Sequence, residues 1–284
     1  MGKKLFITCA LTGSQTNKGL SPYHPTMPDE IAADAVAVAK AGASIIHMHC
    51  RDENGNPTMN TDRWIEIVTK TRAALKAENL DLIINLTASG SKFPEDDRIN
   101  HLYALLPEIC SFDAGSMNWA NDYVFMNRPQ FLERLGKTAI ELGIKPELEI
   151  FDAGMLGNVR HYLTNDFLKA PLHYQLMLGV KGGMDATLEN VNYLISHLES
   201  GSTWSIAGIG KAHMPMMLAG LAAGCDGLRV GLEDNVFLEK GVYATNAQLV
   251  ERAANIAKMA GREIATPAET REILGLTQHV NHLL

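Results

Sequence analysis

Ser44-Ile45-Ile46-His47-Met48-His49-Cys50 is the stretch on which the reading of the fold turns. It is short, apolar and β-branched at its start, so it reads as a buried strand. Side chains alternate along a strand, which puts Ile46, Met48 and Cys50 on one face and Ile45, His47 and His49 on the other. Upstream lies Pro28–Ala41, with helical periodicity, Pro28, Asp29 and Glu30 in its first turn and Gly42 as its stop. Downstream, Asp62–Lys76 follows possible caps at Asn60 and Thr61. The same step recurs along the chain. Further candidate strands are Leu5–Leu11, Leu82–Thr87, Ile109–Asp113, Glu147–Phe151, Tyr174–Val180, Thr203–Ala207 and Gly227–Gly231. Further candidate helices are Gln130–Leu142, Thr187–Leu198, His213–Ala223, Ala244–Ala260 and a short one behind the capping box Thr266-Pro267-Ala268-Glu269. Eight strands alternating with helices predict an α/β fold, a (β/α)8 TIM barrel, as one catalytic domain over 1–284.

Composition narrows the function. Hydrophobic residues make up 46% of 284, enough for a large core, and no run of about 18 apolar residues predicts a membrane span. A net charge of −7 argues against nucleic acid or an anionic membrane as partner. Cys9, Cys50, Cys110 and Cys225 form no Cys-x-x-Cys pair and read as buried reduced thiols, which together with the absence of a cleavable apolar leader suggests a cytoplasmic protein.

Charges on inward strand faces need partners, because an isolated buried charge costs several kcal/mol. His47 and His49, two apart on one face, lie about 6–7 Å from each other at the backbone and can converge on one ion. Zn2+ suits two imidazoles and a carboxylate, with a position left for substrate. Glu233, just past the last strand, is the best-placed third ligand; Glu149 and Asp113 compete. The glycine loops Gly179–Met184 and Ala207–Lys211 read either as turns or as a close backbone approach to a phosphate-bearing ligand helped by Lys181 and Lys211. Met214, Met216 and Met217 read as core. His161, His173, His197, His213, His279 and His282 show no ligand spacing and read mostly as surface or boundary residues.

Seven motifs, in this order, resemble the β-keto acid cleavage enzymes over about Leu5 to Leu274. They are Thr8–Gly13, Ile46–Asp52, Phe112–Asn118, Pro146–Glu149, Leu178–Met184, Trp204–Gly210 and Arg229–Asn235. The resemblance implies Zn2+-dependent chemistry in which a β-keto acid and acetyl-CoA become acetoacetate and a new acyl-CoA. It implies metal ligation by His47, His49 and Glu233 and a proton-transfer dyad of Arg229 and Asp234. It also implies that Thr87, Gly90 and Ser111 hold the carboxylate end of the keto acid, that Glu149 is an acid lining the site, and that the chain assembles as a homotetramer. A nearby arginine lowers an aspartate pKa, so Asp234 is expected to stay ionised as the base.

One position departs from family members that act on an amine-bearing keto acid. There an acidic residue follows the first-loop glycine; here Thr12-Gly13-Ser14-Gln15 offers the neutral Gln15. An amide suits a hydroxyl, carbonyl or uncharged tail better than an ammonium. Rival readings are a metal-dependent hydrolase, a lyase on the same barrel, and a barrel that only binds acyl-CoA or a keto acid. The hydrolase reading fits poorly because its His-x-His follows the first strand, and the lyase reading because its own comes much later in the barrel. The binding-only reading leaves His47, His49, Arg229, Glu233 and Asp234 without a task.

Overall fold

A computed structural model describes residues 3–277; His279 and His282 lie outside them. Eight parallel strands close into a barrel: β1 (Phe6–Thr12), β2 (Ile45–Met48), β3 (Ile83–Leu86), β4 (Ile109–Asp113), β5 (Lys145–Ile150), β6 (His173–Leu178), β7 (Thr203–Gly208) and β8 (Gly227–Val230). The closing pair sets Phe6 beside Gly227 and Thr8 beside Arg229. A helix follows every strand, with a ninth after α8. They are α1 (Pro28–Ala41), α2 (Thr61–Ala77), α3 (Asp97–Leu105), α4 (Pro129–Leu142), α5 (Ala153–Thr164), α6 (Leu188–Ile195), α7 (His213–Ala222), α8 (Asn246–Met259) and α9 (Pro267–Leu274).

Local signals account for the helix ends. Asn60 accepts from Arg63 N at 2.9 Å to open α2. Thr245 with Gln248, and Thr266 with Glu269, form reciprocal capping boxes at α8 and α9. Gly42 and Gly143 close α1 and α4 in left-handed backbone, at φ +108° and +67°.

Two helices have no counterpart in the sequence reading. The buried face of α3 includes Arg98 and His101, so no apolar stripe marks it. Arg98 stacks 3.8 Å from the Phe131 ring centroid and donates to Ala88 O at 2.9 Å; His101 stacks on Trp64 at 5.0 Å. Helix α5 carries Gly154 and Gly157, which weaken a helical reading. Two short hairpins were also unread: Met117–Trp119 with Tyr123–Phe125, and Phe237–Glu239 with Val242–Tyr243.

The main core lies between strands and helices and includes Ile46, Met48, Cys50, Met216 and Met217. A smaller one, Phe6, Ile45, Ile83, Ile109, Ala265 and Leu274, plugs the N-terminal mouth of the barrel from inside. All four cysteines are buried and unpaired, and burial pushes the Cys50, Cys110 and Cys225 thiols up to about 12. Among the described residues no helix is long and apolar enough to cross a membrane.

Above the plug the barrel interior is polar. Asn85 Nδ2 donates to Glu147 Oε1 at 2.7 Å, His173 Nδ1 lies 2.9 Å from Thr203 Oγ1, and Ser205 Oγ donates to Gln175 Oε1 at 2.9 Å. This corrects the reading of His173 and His213 as surface or boundary residues, since both are buried, and His173 lies inside the barrel. His161 and His197 are exposed.

Candidate active site

Three donors converge at the C-terminal mouth of the barrel. His47 ends near the top of β2, His49 follows the strand, and Glu233 sits in the loop after β8. His47 Nε2 lies 3.4 Å from Glu233 Oε2, and His49 Nε2 lies 3.0 Å from Glu233 Oε1. One ligand atom from each of the three falls within 4.8 Å of the others. Of the three carboxylates the sequence left open as third ligand, Glu233 is the one touching both histidines.

Burial pushes the His47 imidazole down to about 4; Glu233 pulls against that shift and Arg229 adds to it. His47 is therefore neutral near pH 7, the form in which an imidazole binds a metal. Burial pushes Glu233 up, but His49, His47 and Arg229 outweigh it and hold the carboxyl far below its ordinary range. Glu233 Oε2 has no hydrogen-bond partner although it is buried. Two imidazoles and an ionised carboxylate with one oxygen free of hydrogen bonds fit a divalent ion with room for substrate, the donor pattern of a catalytic zinc site.

Gly13 makes space for this arrangement. A Cβ there would lie 2.6 Å from Glu233 Cγ and 3.1 Å from its Cδ. Gly13→Ala is expected to displace Glu233 and weaken metal retention without unfolding the barrel. Metal content after dialysis against a chelator, set beside a thermal melt, checks this, and full retention would show that Glu233 has slack.

Arg229, on the inward face of β8, gathers the remaining acids. Its Nε donates to Asp234 Oδ2 at 2.9 Å and Nη2 to Oδ1 at 3.1 Å, a two-pronged grip. Its Nη1 donates to Glu149 Oε1 at 3.0 Å, and Nη2 lies 3.3 Å from Glu233 Oε2. The sequence expectation for Asp234 is incomplete. Burial pushes its carboxyl up, Arg229 pulls it down and Glu233 pushes it up again, with a net rise. A carboxylate held above its ordinary range is the stronger base. Glu149 is pushed well above the usual range, by burial first, with Asp113, Glu147 and Glu233 adding to it against Arg229. Asp113 is opposite Glu149 in register and is also raised, by burial against Arg98.

These groups line a cavity of about 600 Å3 together with Gln15, Thr87, Trp119, Tyr123 and Phe125. An adjoining cavity, also about 600 Å3, shares Gln15, His49, Tyr123 and Phe125 and adds Gly90 and Lys92. Thr87 thus faces the first cavity and Gly90 the second. Ser111 stands behind Thr87, its Oγ accepting from Ala88 N at 3.0 Å. Gln15 is exposed at the rim, donating to Tyr123 Oη at 3.2 Å.

The loop that carries Gln15 is held by two residues the sequence reading passed over. Arg51 Nη2 donates to the carbonyls of Gly13 and Thr16. His24 Nε2 lies 2.7 Å from Thr16 Oγ1, and burial, reinforced by Arg51, pushes that imidazole down to about 4. Trp119, Tyr123 and Phe125 were also missed as rim residues. Their signal is an aromatic-flanked turn whose Ala120 and Asn121 sit at φ +56° and +57°. In the glycine loops, chain packing accounts for two glycines: a Cβ at Gly182 would lie 1.8 Å from Asn118 O, and one at Gly208 2.2 Å from Ala212 O.

A model of the β-keto acid cleavage enzymes matches residues 4–276. The chain belongs to this family. It is 37% identical to a 3-keto-5-aminohexanoate cleavage enzyme of Fusobacterium nucleatum, over 97% of this chain and 99% of that one. It is 35% identical to a 3-dehydrocarnitine:acetyl-CoA trimethylamine transferase of Rhizobium meliloti, over 98% of each. In fold the chain resembles ObcA, with a TM-score of 0.79 at 21% identity, covering 90% of this chain and 66% of that longer one.

Proposed function

We propose that the chain is a Zn2+-dependent acyltransferase that converts a β-keto acid and acetyl-CoA into acetoacetate and a new acyl-CoA. The observation that carries this reading is the Asp234 carboxylate, gripped by Arg229 and opening into the same cavity as the His47, His49 and Glu233 donor set. Relatives whose names specify keto-acid cleavage or acetyl-CoA transfer support it.

His47, His49 and Glu233 would hold the ion, which when bound supplies a Lewis acid for the keto oxygen. Asp234 takes a proton from C2 of the keto acid, and Arg229 keeps the carboxylate aimed. The resulting carbon nucleophile attacks the acetyl carbonyl, forming a C–C bond as the thioester bond breaks. The freed CoA thiolate then attacks the C3 carbonyl. The C2–C3 bond breaks, the tail leaves as acyl-CoA, and Asp234 returns the proton to C2 of acetoacetate. Thr87 and Gly90 are proposed to line the path of the carboxylate end, with Ser111 fixing Thr87. Incubating the enzyme with acetyl-CoA and a panel of β-keto acids, and weighing the products, should reveal acetoacetate and the matching acyl-CoA. If none of the panel yields a new acyl-CoA, the reading is wrong.

The tail is proposed to be uncharged or hydrogen-bonding. Gln15 offers an amide at the rim, and the Lys92 ammonium lies 4.7 Å above the Tyr123 ring to which Gln15 is bonded. A cationic tail would meet a like charge there. Wild type should favour a hydroxyl or methyl tail over an amine of matched length in kcat/KM, and Gln15→Glu should move the preference toward the amine. At an exposed rim the shift is about 1 kcal/mol or less. A wild type that prefers the amine, with no response to Gln15→Glu, would remove Gln15 from tail recognition.

A further inference from the structure

The polar interior beneath the donor set holds two buried atoms without a hydrogen-bond partner. His47 presents Nε2 to Glu233, so its Nδ1 points away from the donor set; this Nδ1 is buried and has no hydrogen-bond partner. Glu147, on the inward face of β5 and wholly buried, spends Oε1 on Asn85, while its Oε2 also lacks a hydrogen-bond partner. A ring nitrogen of His47 and a carboxylate oxygen of Glu147 lie within 4.8 Å of each other. Two hydrogen bonds of about 2.8 Å through one water span that separation. Thr8 Oγ1, Asn85 Oδ1 and Gln175 Nε2 are likewise buried without hydrogen-bond partners, so the surroundings offer a water further polar neighbours. The plug of Phe6, Ile45, Ile83 and Ile109 closes it from below.

We propose that Glu147 is a positioning residue for the metal site, holding the Nδ1–H of His47 through one buried water and so fixing the tautomer that turns Nε2 toward Glu233 and the ion. A neutral imidazole carries one N–H, and an acceptor at Nδ1 decides which nitrogen keeps it. Unaided, a buried His47 could place its proton on Nε2 and present no lone pair to the ion. His173 Nε2 lies 3.6 Å from the same Oε2, so the carboxylate oxygen has one neighbour of its own strand layer and room for the water as a second. The inference rests on the metal reading of the preceding subsection.

The test is zinc affinity by chelator competition for wild type and Glu147→Gln, with the structure of the zinc-loaded wild type. The amide keeps the size and can still accept from Asn85, but turns an NH2 toward the His47 side. Affinity should fall about 10–100-fold, as when a partner behind a metal-binding histidine is lost. The His47 Nδ1–H proton resonance of the zinc-loaded protein should also move, while that of His49 stays. In the wild-type structure a water should bridge Oε2 and Nδ1. Unchanged affinity and an unmoved His47 resonance in a folded variant would overturn the proposal. So would a wild-type structure with His47 ligating through Nδ1, a result independent of whether the variant folds. Two ions per wild-type chain, the second on His47, Glu147 and Glu149, would also overturn it. A wild type that binds no zinc would instead overturn the metal reading itself.

Discussion

Asp234→Asn is expected to lower kcat about 10²–10⁴-fold, the usual effect of removing a general base, while metal content and keto-acid binding persist. Asn has nearly the same shape and can still accept from Arg229, so the loss isolates proton transfer from packing. The decisive measurement is exchange of the C2 protons of the keto acid with solvent deuterium, in the absence of acetyl-CoA. Exchange at the wild-type rate in Asp234→Asn would remove Asp234 from the role. The pH profile supplies a second check. The carboxyl is raised by burial, against Arg229. Activity needs its deprotonated form, so the acid limb of kcat/KM should fall at a pH above that of an ordinary aspartate, about 3.9. Rate is lost as pH drops through the raised value.

His47→Ala is expected to strip both metal and activity. The substitution removes one of three donors and leaves Glu233 with only His49 and Arg229 beside it. The affinity loss should exceed the roughly 100-fold ceiling for a residue behind the ligands. Elemental analysis of purified wild type should give one divalent ion per chain. Active protein free of metal, or a His47→Ala variant with full metal and full rate, would refute the site.

The barrel was legible from the sequence because six of its eight helices follow their strands with clear amphipathic or capping signals, Pro28 and Gly42 among them. Helices α3 and α5 escaped for separable reasons: one buries Arg98 and His101 where an apolar stripe is looked for, and the other opens on glycines. Strand alternation was enough to put His47 and His49 on one side, since their period is two residues. It could not say how far Glu233 reaches, because that residue lies in a loop whose course depends on Gly231, at φ +137°, and on the space above Gly13. The sign of the Asp234 shift needed burial, which no motif carries. Arg51 and His24 act by holding carbonyls and hydroxyls of a loop, and neither leaves a periodic trace. The polar barrel interior was half legible: strand alternation puts Glu147 in phase with Glu149, but its partners Asn85 and His173 come from strands far apart in sequence.

The Met117–Phe125 hairpin, which brings Trp119, Tyr123 and Phe125 to the rim, forms its own two-stranded ladder and, among the described residues, shares no strand pairing with the barrel. On the proposed reading, the aromatic rim near the tail and the donor set under it are therefore carried by different strand pairings, although Ala120 N still donates to Lys181 O at 2.9 Å and ties the hairpin to the loop after β6. Substitutions at the exposed hairpin position Val124 are then expected to leave untouched the strand pairing of β2 and β8, which precede His49 and Glu233.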